Sequence, residues 1–423
     1  MRCLSLSKLW LWKGTVMMND LPLEEAVGLM RQYCECIEET EEVNLLDADG
    51  RILGEDILAP LPQPIFSRSA VDGYALRCED TLRANRKQPI TLEVIDTVYA
   101  GGCSEKCLHA GQAIQIMTGA RIPQGANAVI RLEDTNDDLQ DLRIYKEVKQ
   151  QENICFEGED FHRGDLLLKK GDRLDFARLA IASSVGMENI PVLRKLRIAL
   201  CISGDEVTPL GQPLTPGRIY DSNYALLYHR LKCLGYPPIA ASYVQDDPHL
   251  CAKTLHEYAT QADLIITTGG VSVGKKDILH EALTLAGAKK VFWKVQVKPG
   301  TPAMFSMIGK TPVLSLSGNP FAASATFELL AAPLLAYMQQ DAHIAPVIRQ
   351  AILQTPYLKN SEKRRMVRAF YQAGKVMIPE GLHSSGALST LVDCNCLLDI
   401  PAHTKQCQYN EAVQVWLLGG YYE

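Results

Sequence analysis

DLIITTGGVSVGKKD, residues 263–277, reads as a strand that runs into a glycine-rich loop and then into the start of a helix. Gly269, Gly270 and Gly274 let the backbone N–H groups of this loop, which also holds Ser272, approach an anion, and the next helix adds its positive end. The spacing matches neither the P-loop nor the dinucleotide-binding fingerprint. Two readings fit the segment equally well: a cradle for a phosphate or oxyanion, or a tight turn with Asp277 as helix cap. Outward from here the same rhythm repeats. RIALCIS, PIAASYV, KVFWKVQV and TPVLSLS are further strands separated by helical segments. Regular alternation over about 150 residues predicts a central, doubly wound, mostly parallel α/β domain. Such sheets bind ligands outside the carboxyl ends of their strands, near a switch in strand order.

The residues at those strand ends are the candidates for chemistry. In VQDDPHL, Pro248 suits the first helical position and Asp247 the cap, which leaves Asp246 without a local duty. ISGDEV brings Asp205 and Glu206 to the same edge. Each acid alone reads as solvated, but Glu206, Asp246 and Asp277 at separate strand ends could together hold Mg²⁺ through oxygen ligands. In KVFWKVQVKPGTP, alternation places Phe292, Lys294, Gln296 and Lys298 on one face. The two lysines would then stand about 13 Å apart and could engage different parts of one long anion. LSLSGNP repeats the strand, turn and proline-led helix at Ser317, Gly318, Asn319 and Pro320, a second anion cradle or, equally, plain cap chemistry. Lys363, Arg364, Arg365 and Arg368 form a basic cluster, for which a solvated face is the ordinary reading.

On the amino-terminal side, LPLEEAVGLM opens an amphipathic helix with Ala26, Val27, Leu29 and Met30 among its apolar positions. PITLEVIDTVYA, AIQIMTGA and LRIYKEV then alternate with Gly and Pro clusters, as in a small β-rich module, and a helical stretch covers 176–185. After Pro346, VIRQAIL, MVRAFYQ, CLLDIPA and AVQVWLL return to short strands. The 423 residues, 47% hydrophobic and 22% charged, have the texture of an ordinary multidomain globular protein. A net charge of −6 supplies no basic stripe to replace phosphate counterions, so nucleic acid is not an expected partner. The 13 cysteines are scattered without a CxxC pair, which fits reduced thiols in the cytoplasm and argues against a disulfide framework or a zinc site. MRCLSLSKLWLWKG lacks the unbroken apolar core and cleavage site of a signal peptide, and Met17 or Met18 offers an alternative start, which marks residues 1–17 as an extension. No run of about eighteen uncharged apolar residues occurs, so no membrane span is expected.

FSRSAVDGYALR, with Asp72 and Gly73, is by itself no more than an Asp-Gly hairpin turn. In order with IMTGARIP, GEDFHRGD, ISGDEV, RIYDSN, QDDPH, TTGGVSVGKKD, KVQVKPGTP and SGNP, it closely resembles the molybdopterin molybdenumtransferase family, which includes the bacterial MoeA proteins and the E domain of gephyrin. The resemblance covers nearly the whole chain from about Leu21. It implies a four-part, elongated homodimer: a discontinuous linker and dimerisation domain (18–60 and 160–195), an inserted β-rich domain (61–159), an α/β molybdopterin-binding domain like the pterin-adenylylating proteins (196–345), and a C-terminal β-barrel-like domain (346–423). It also implies a cytoplasmic transferase that inserts molybdate into adenylylated molybdopterin with the help of Mg²⁺, releases AMP and forms molybdenum cofactor. The pterin-adenylylating protein and recipient molybdoenzymes would be its further partners.

Carried over residue by residue, the resemblance assigns catalysis to Asp72, Thr118, Glu206, Asp246, Asp277, Lys294 and Lys298, with Glu206, Asp246 and Asp277 as the metal ligands. Substrate binding falls to Gly269, Gly270, Ser272 and Gly274, to Ser317, Gly318, Asn319 and Pro320, and to Arg368 and Ser385. Asp72 and Thr118 would reach the site of the partner subunit. This chain departs from the family pattern at Ser317, where relatives often have Pro, and at Cys155, Phe156 and Glu157, where relatives often carry arginines; Lys275 and Lys276 restore some positive charge. Two other classes compete with this one: a pterin-binding scaffold without the chemistry, which the retained Asp72, Asp246, Asp277, Lys294 and Lys298 disfavour, and an adenylyltransferase of the related α/β fold, which does not explain the SAVDGYA module and the terminal β domain.

Overall fold

The structure, a computed structural model, describes residues 9–12, 15–271 and 278–418. Ser272, Gly274, Lys275, Lys276 and Asp277 of the glycine-rich loop therefore lie outside the described residues. The chain forms two compact units, Met1–Glu41 with Leu193–Glu423, and Glu42–Val192.

The first unit is built on an eight-stranded sheet. Four of its strands run parallel in the order Ala240–Val244, Ile198–Ser203, Leu264–Thr268, Thr311–Leu316. The last three are buried at every position, because helices such as Asn223–Cys233 and Pro248–Ala259 pack on the sheet. From Ile198–Ser203 the chain first pairs on one side and then crosses to Leu264–Thr268 on the other. The strand order thus reverses between these two, the place where sheets of this kind leave a crevice. Gly269 makes the crevice close: with φ at 93°, a Cβ there would lie 2.2 Å from the Ser203 carbonyl oxygen, so only glycine fits.

The far side of the sheet differs from the sequence reading. Met304–Ile308 is an additional strand, antiparallel to both Thr311–Leu316 and Lys289–Val295. KVFWKVQV is not one alternating strand. Lys294 has φ at 69°, and its N–H and that of Val295 donate to the carbonyls of Ala303 and Thr301. The segment splits there into Lys289–Val295, in the large sheet, and Val297–Lys298, which pairs with Arg364–Gln372. The expected single face carrying Lys294 and Lys298 is therefore absent, since a left-handed residue breaks the two-residue period. Thr15–Leu21 pairs with Lys289–Val295 and carries Leu9–Trp12 beside it, so part of the segment read as an extension is strand in this sheet.

Pro320–Gln339 is one 20-residue helix, long and apolar enough to cross a membrane, yet 89% buried inside the protein. Its middle is a π-helical turn, Phe327–Ala331, from which buried Glu328 accepts two hydrogen bonds from Arg230, at 2.6 and 3.0 Å. Arg364–Gln372, Lys375–Met377, Val347–Leu353, Ala412–Leu417 and Cys396–Ile400 pair in that order, and the last pairs back to the first, which closes a five-stranded barrel. Leu353, Ala369, Val376, Leu398 and Val415 fill it.

The unit Glu42–Val192 holds a five-stranded sheet, Leu142–Lys146, Asn85–Val98, Gln112–Ile116, Gly73–Leu76 and Ala128–Arg131. Alternation along Gly73–Leu76 sends Tyr74 and Leu76 into one core and Ala75 into another. Asp72-Gly73 is not a hairpin turn. Gly73 opens a central strand, where a Cβ would meet the Ile130 carbonyl oxygen at 1.8 Å. A smaller core of Leu45, Leu53, Ile57, Leu168, Leu174, Ala182 and Ile190 lies against the Phe176–Ser184 helix.

Candidate active site

A cavity of about 1110 Å³ opens at the carboxyl ends of the parallel strands and is walled on its other side by the barrel. Ser203, Glu206, Thr268, Gly269, Gly270 and the Ser317–Pro320 loop line the sheet side. Lys298, Tyr357, Arg365, Arg368 and Ser385 line the other. The structure thus gathers ten of the residues singled out from sequence: Glu206, Gly269, Gly270, Lys298, Ser317, Gly318, Asn319, Pro320, Arg368 and Ser385. Asp246 and Lys294 are not among its lining residues.

The loops of the crevice are stitched together by a residue that the sequence reading quoted, in RIYDSN, without a role. Asn223, at the first turn of its helix, donates from Nδ2 to Thr268 Oγ1 at 2.9 Å and to the Gly318 carbonyl at 2.8 Å. Thr268 Oγ1 in turn donates to the Ser317 carbonyl at 3.0 Å. Asp221 caps this helix through the N–H groups of Asn223 and Tyr224 and also accepts from the Tyr243 hydroxyl at 2.9 Å. Burial and the facing Asp221 carboxylate push the Tyr243 phenol well above its ordinary range.

The Ser317–Pro320 loop is less open than an anion cradle would be. The Asn319 N–H points to Ser317 Oγ at 3.4 Å, Pro320 has no N–H, and the Phe321 N–H donates to the Ser385 carbonyl at 2.9 Å. The loop is therefore clamped to the segment that carries Ser385. Arg368 completes that clamp. It is fully buried, donates to Ala387 O, Thr390 Oγ1 and Ser384 O at 2.5, 2.8 and 2.7 Å, and lies 3.7 Å over the Phe321 ring. Burial lowers its pKa below the ordinary arginine value.

The basic cluster is thus no solvated face. Arg364 is held by both Asp399 oxygens, at 2.9 and 2.6 Å, and by Glu24, while Lys363 approaches Asp20 at 3.6 Å.

Two other predicted residues sit in different surroundings. The Lys294 ammonium lies 4.0 Å over the Trp293 ring, whose Nε1 donates to the Val271 carbonyl at 3.1 Å. The His280 ring meets Trp293 edge-on at 4.8 Å, and burial together with the charges of Lys290 and Lys294 brings its pKa down to about 4. The Asp246 N–H donates to Asp205 Oδ1 at 3.0 Å, so the two acids hold their loops together. Asp247 caps its helix as expected, accepting from the N–H groups of His249 and Leu250.

Among the described residues no group of three or more His, Cys, Asp or Glu is arranged to hold a metal ion, and Asp277 lies outside them. Of the expected metal ligands Glu206 lines the cavity and offers carboxylate oxygens, no thiol lines it among the described residues, and His383 in the lining turns Nε2 to the Pro379 carbonyl at 2.7 Å. That set fits Mg²⁺, which takes one or two carboxylates and completes its shell with water and substrate phosphate.

In the unit Glu42–Val192, Asp72 and Thr118 do come together. Asp72 Oδ1 accepts from the Thr118 N–H at 2.7 Å and from its hydroxyl at 2.8 Å, which holds the carboxyl below its usual pKa.

Family models match the chain in three consecutive stretches: the MoeA N-terminal region (domain I and II) at residues 21–186, a probable molybdopterin binding domain at 199–337, and the MoeA C-terminal region (domain IV) at 350–418. A molybdopterin molybdenumtransferase of Bacillus subtilis is 34% identical over 409 residues, 95% of this chain and 94% of its own length. Molybdopterin molybdenumtransferase 2 of Mycobacterium tuberculosis is 34% identical over 400 residues, 93% and 98% of the two chains. The crystal structure of the molybdopterin biosynthesis MoeA protein from Pyrococcus horikosii is 30% identical, with a TM-score of 0.83, and covers 94% of this chain and 99% of that one. Identity of 30–34% over nearly the full length of both partners, joined to the same architecture, places this chain in the molybdopterin molybdenumtransferase (MoeA) family, the transferases of molybdenum cofactor biosynthesis.

Proposed function

We propose that this chain takes adenylylated molybdopterin and molybdate as substrates, uses Mg²⁺, and releases AMP as molybdenum cofactor forms. One observation carries the reading. A cavity of about 1110 Å³, large enough for a nucleotide joined to a pterin, presents Lys298 and Arg365 without ion-pair partners among the described residues. The proposed substrate carries a phosphoanhydride, a terminal phosphate and a dithiolene, and molybdate is a dianion, so cations on this wall answer a charge problem.

Glu206, with Asp246 and Asp277, would hold Mg²⁺ near the anhydride. When bound, the ion offsets the charge that develops on the departing phosphate. Lys298, on the cavity wall, neutralises part of the substrate. The Asn223 and Ser385 contacts keep the two loops at a fixed spacing, so the binding groups meet the substrate without reorganisation. No protein nucleophile is required.

We further propose a homodimer in which Asp72 and Thr118 serve the site of the partner subunit. In support, Leu46 and Phe176 are 91% and 86% exposed, and Leu58, Leu166 and Ile181 around the same small core are exposed as well. An apolar group of this kind is usually covered by a partner. All the described cysteines are free thiols, which supports residence in the reducing cytoplasm.

The test supplies adenylylated molybdopterin, Mg²⁺ and molybdate and follows AMP and molybdenum cofactor together. Equal, molybdate-dependent formation of both is expected. Binding without turnover would identify a scaffold, and adenylylation of free pterin from ATP would identify an adenylyltransferase.

A further inference from the structure

Two neighbouring arginines of the strand Arg364–Gln372 have opposite surroundings. Successive strand residues point to opposite faces. Arg364 is neutralised by Asp399 and Glu24. Arg365 lines the cavity, half-buried, and makes no ion pair among the described residues. Its partner in the strand pairing is Lys298, which lines the same cavity and is likewise unpaired. Register partners share a face, so two cationic side chains leave neighbouring backbone positions on the same side with no ion-pair partner among the described residues, an arrangement that an anion would relieve.

Two further groups point the same way. Tyr357 lines the cavity, is 8% exposed, and its hydroxyl has no hydrogen-bond partner among the described residues. Arg368, fully buried, leaves its Nε–H without a partner among the described residues. Tyr357 and Arg368 thus add two unsatisfied proton donors to this wall, where His383 Nδ1 is an unsatisfied acceptor, and buried donors of this kind are ordinarily satisfied.

We infer that Arg365 and the Tyr357 hydroxyl, together with Lys298, bind a tetrahedral oxyanion on the barrel side of the cavity, which makes Arg365 a specificity-determining residue of this chain. The inference rests on the cavity being the substrate site. A guanidinium offers two parallel N–H groups to two oxygens of such an anion, while the ammonium and the phenol reach the others. Two sources share this chemistry in the proposed reaction, free molybdate and the phosphoryl group of the nucleotide.

Calorimetric titration of the full chain with molybdate alone and with AMP alone tests this, using wild type, Arg365→Ala, Arg365→Lys and Tyr357→Phe. Arg365→Ala should weaken one of the anions by about tenfold or more, Arg365→Lys should recover part of the loss, and Tyr357→Phe should weaken the same anion by roughly threefold. Loss with molybdate alone identifies the free oxyanion, and loss with AMP alone identifies the phosphoryl group. In turnover, the KM for that substrate should rise while kcat changes little. Should Arg365→Ala fail to fold, Tyr357→Phe and Arg365→Lys read the same site. Binding of both anions by the variants as tightly as by wild type overturns the inference, as does a wild type that binds neither at millimolar concentration. A chain that forms cofactor with Arg365→Ala indistinguishable from wild type keeps the transferase reading and loses this site. A chain that binds the anion through Arg365 but forms no cofactor does the reverse.

Discussion

His280 is kept neutral by its surroundings, and that has a pH consequence. Its pKa is about 4 in the folded chain, against roughly 6.5 for an ordinary histidine. Between those values the unfolded chain binds a proton that the folded chain refuses. The resulting stability is complete above about pH 6.5 and is lost as pH falls towards 4, by roughly 3 kcal/mol in total. His280→Phe keeps an aromatic edge against Trp293 and removes the titration. Denaturant unfolding at pH 7 and pH 4.5 should then show a smaller gap for the variant, and an unchanged gap would assign the pH dependence to other groups. Asp72 offers a second test at this scale. Thr118→Val removes one donor and leaves the backbone N–H, so the Asp72 carboxyl should titrate closer to its usual pKa in an NMR pH series, whereas an unmoved value would deny the hydroxyl any part.

The helix Pro320–Gln339 depends on one ion pair. Glu328 sits in its π-helical turn, almost fully buried, and its two oxygens are matched to Arg230, which is itself largely buried. Removing one partner strands a charge in the core. Glu328→Ala should therefore cost about 3–5 kcal/mol, while the joint replacement Arg230→Met with Glu328→Leu should cost far less. Urea unfolding of the three proteins reads this directly. If the double variant is as unstable as the single one, the loss comes from packing rather than from the stranded charge.

At the scale of the whole molecule, the proposed homodimer makes two predictions. Phe176→Asp places a charge in the exposed apolar group of the unit Glu42–Val192 and should convert the protein to monomers, as measured by light scattering. A dimer that persists would show that this face is not the interface. Mixing Asp72→Ala with Asp277→Ala tests where Asp72 acts. If each subunit lends Asp72 to its partner, about half of randomly exchanged dimers are mixed, and each has one intact site, so activity should return to about one quarter of wild type. No recovery after subunit exchange confirmed by mass would mean that each site is built within one chain.

Local pattern carried much of this protein in the chain itself. The strands ending at Ser203, Thr268 and Leu316, the Asp247 cap before Pro248, and the Phe176–Ser184 helix all follow from residues adjacent in sequence. Seven of the site residues, Glu206, Gly269, Gly270 and Ser317 to Pro320, gather at the edge that β-α alternation marks, because alternation sets which ends of the strands face the same way, whereas Lys298, Arg368 and Ser385 come to the cavity from the barrel side. Tertiary structure alone decided the rest. Alternation extended through Lys294 until the backbone carbonyls of Ala303 and Thr301 captured the chain there. A run of four basic residues looks uniform in sequence, yet Asp399 and Glu24 claim Arg364, the 384–390 loop buries Arg368, and Arg365 is left facing the cavity. Periodicity reports which side of an element is covered. Charge pairing here depends on groups tens to hundreds of positions away, and the strand break on carbonyls beyond the next turn, which only the folded chain brings into reach.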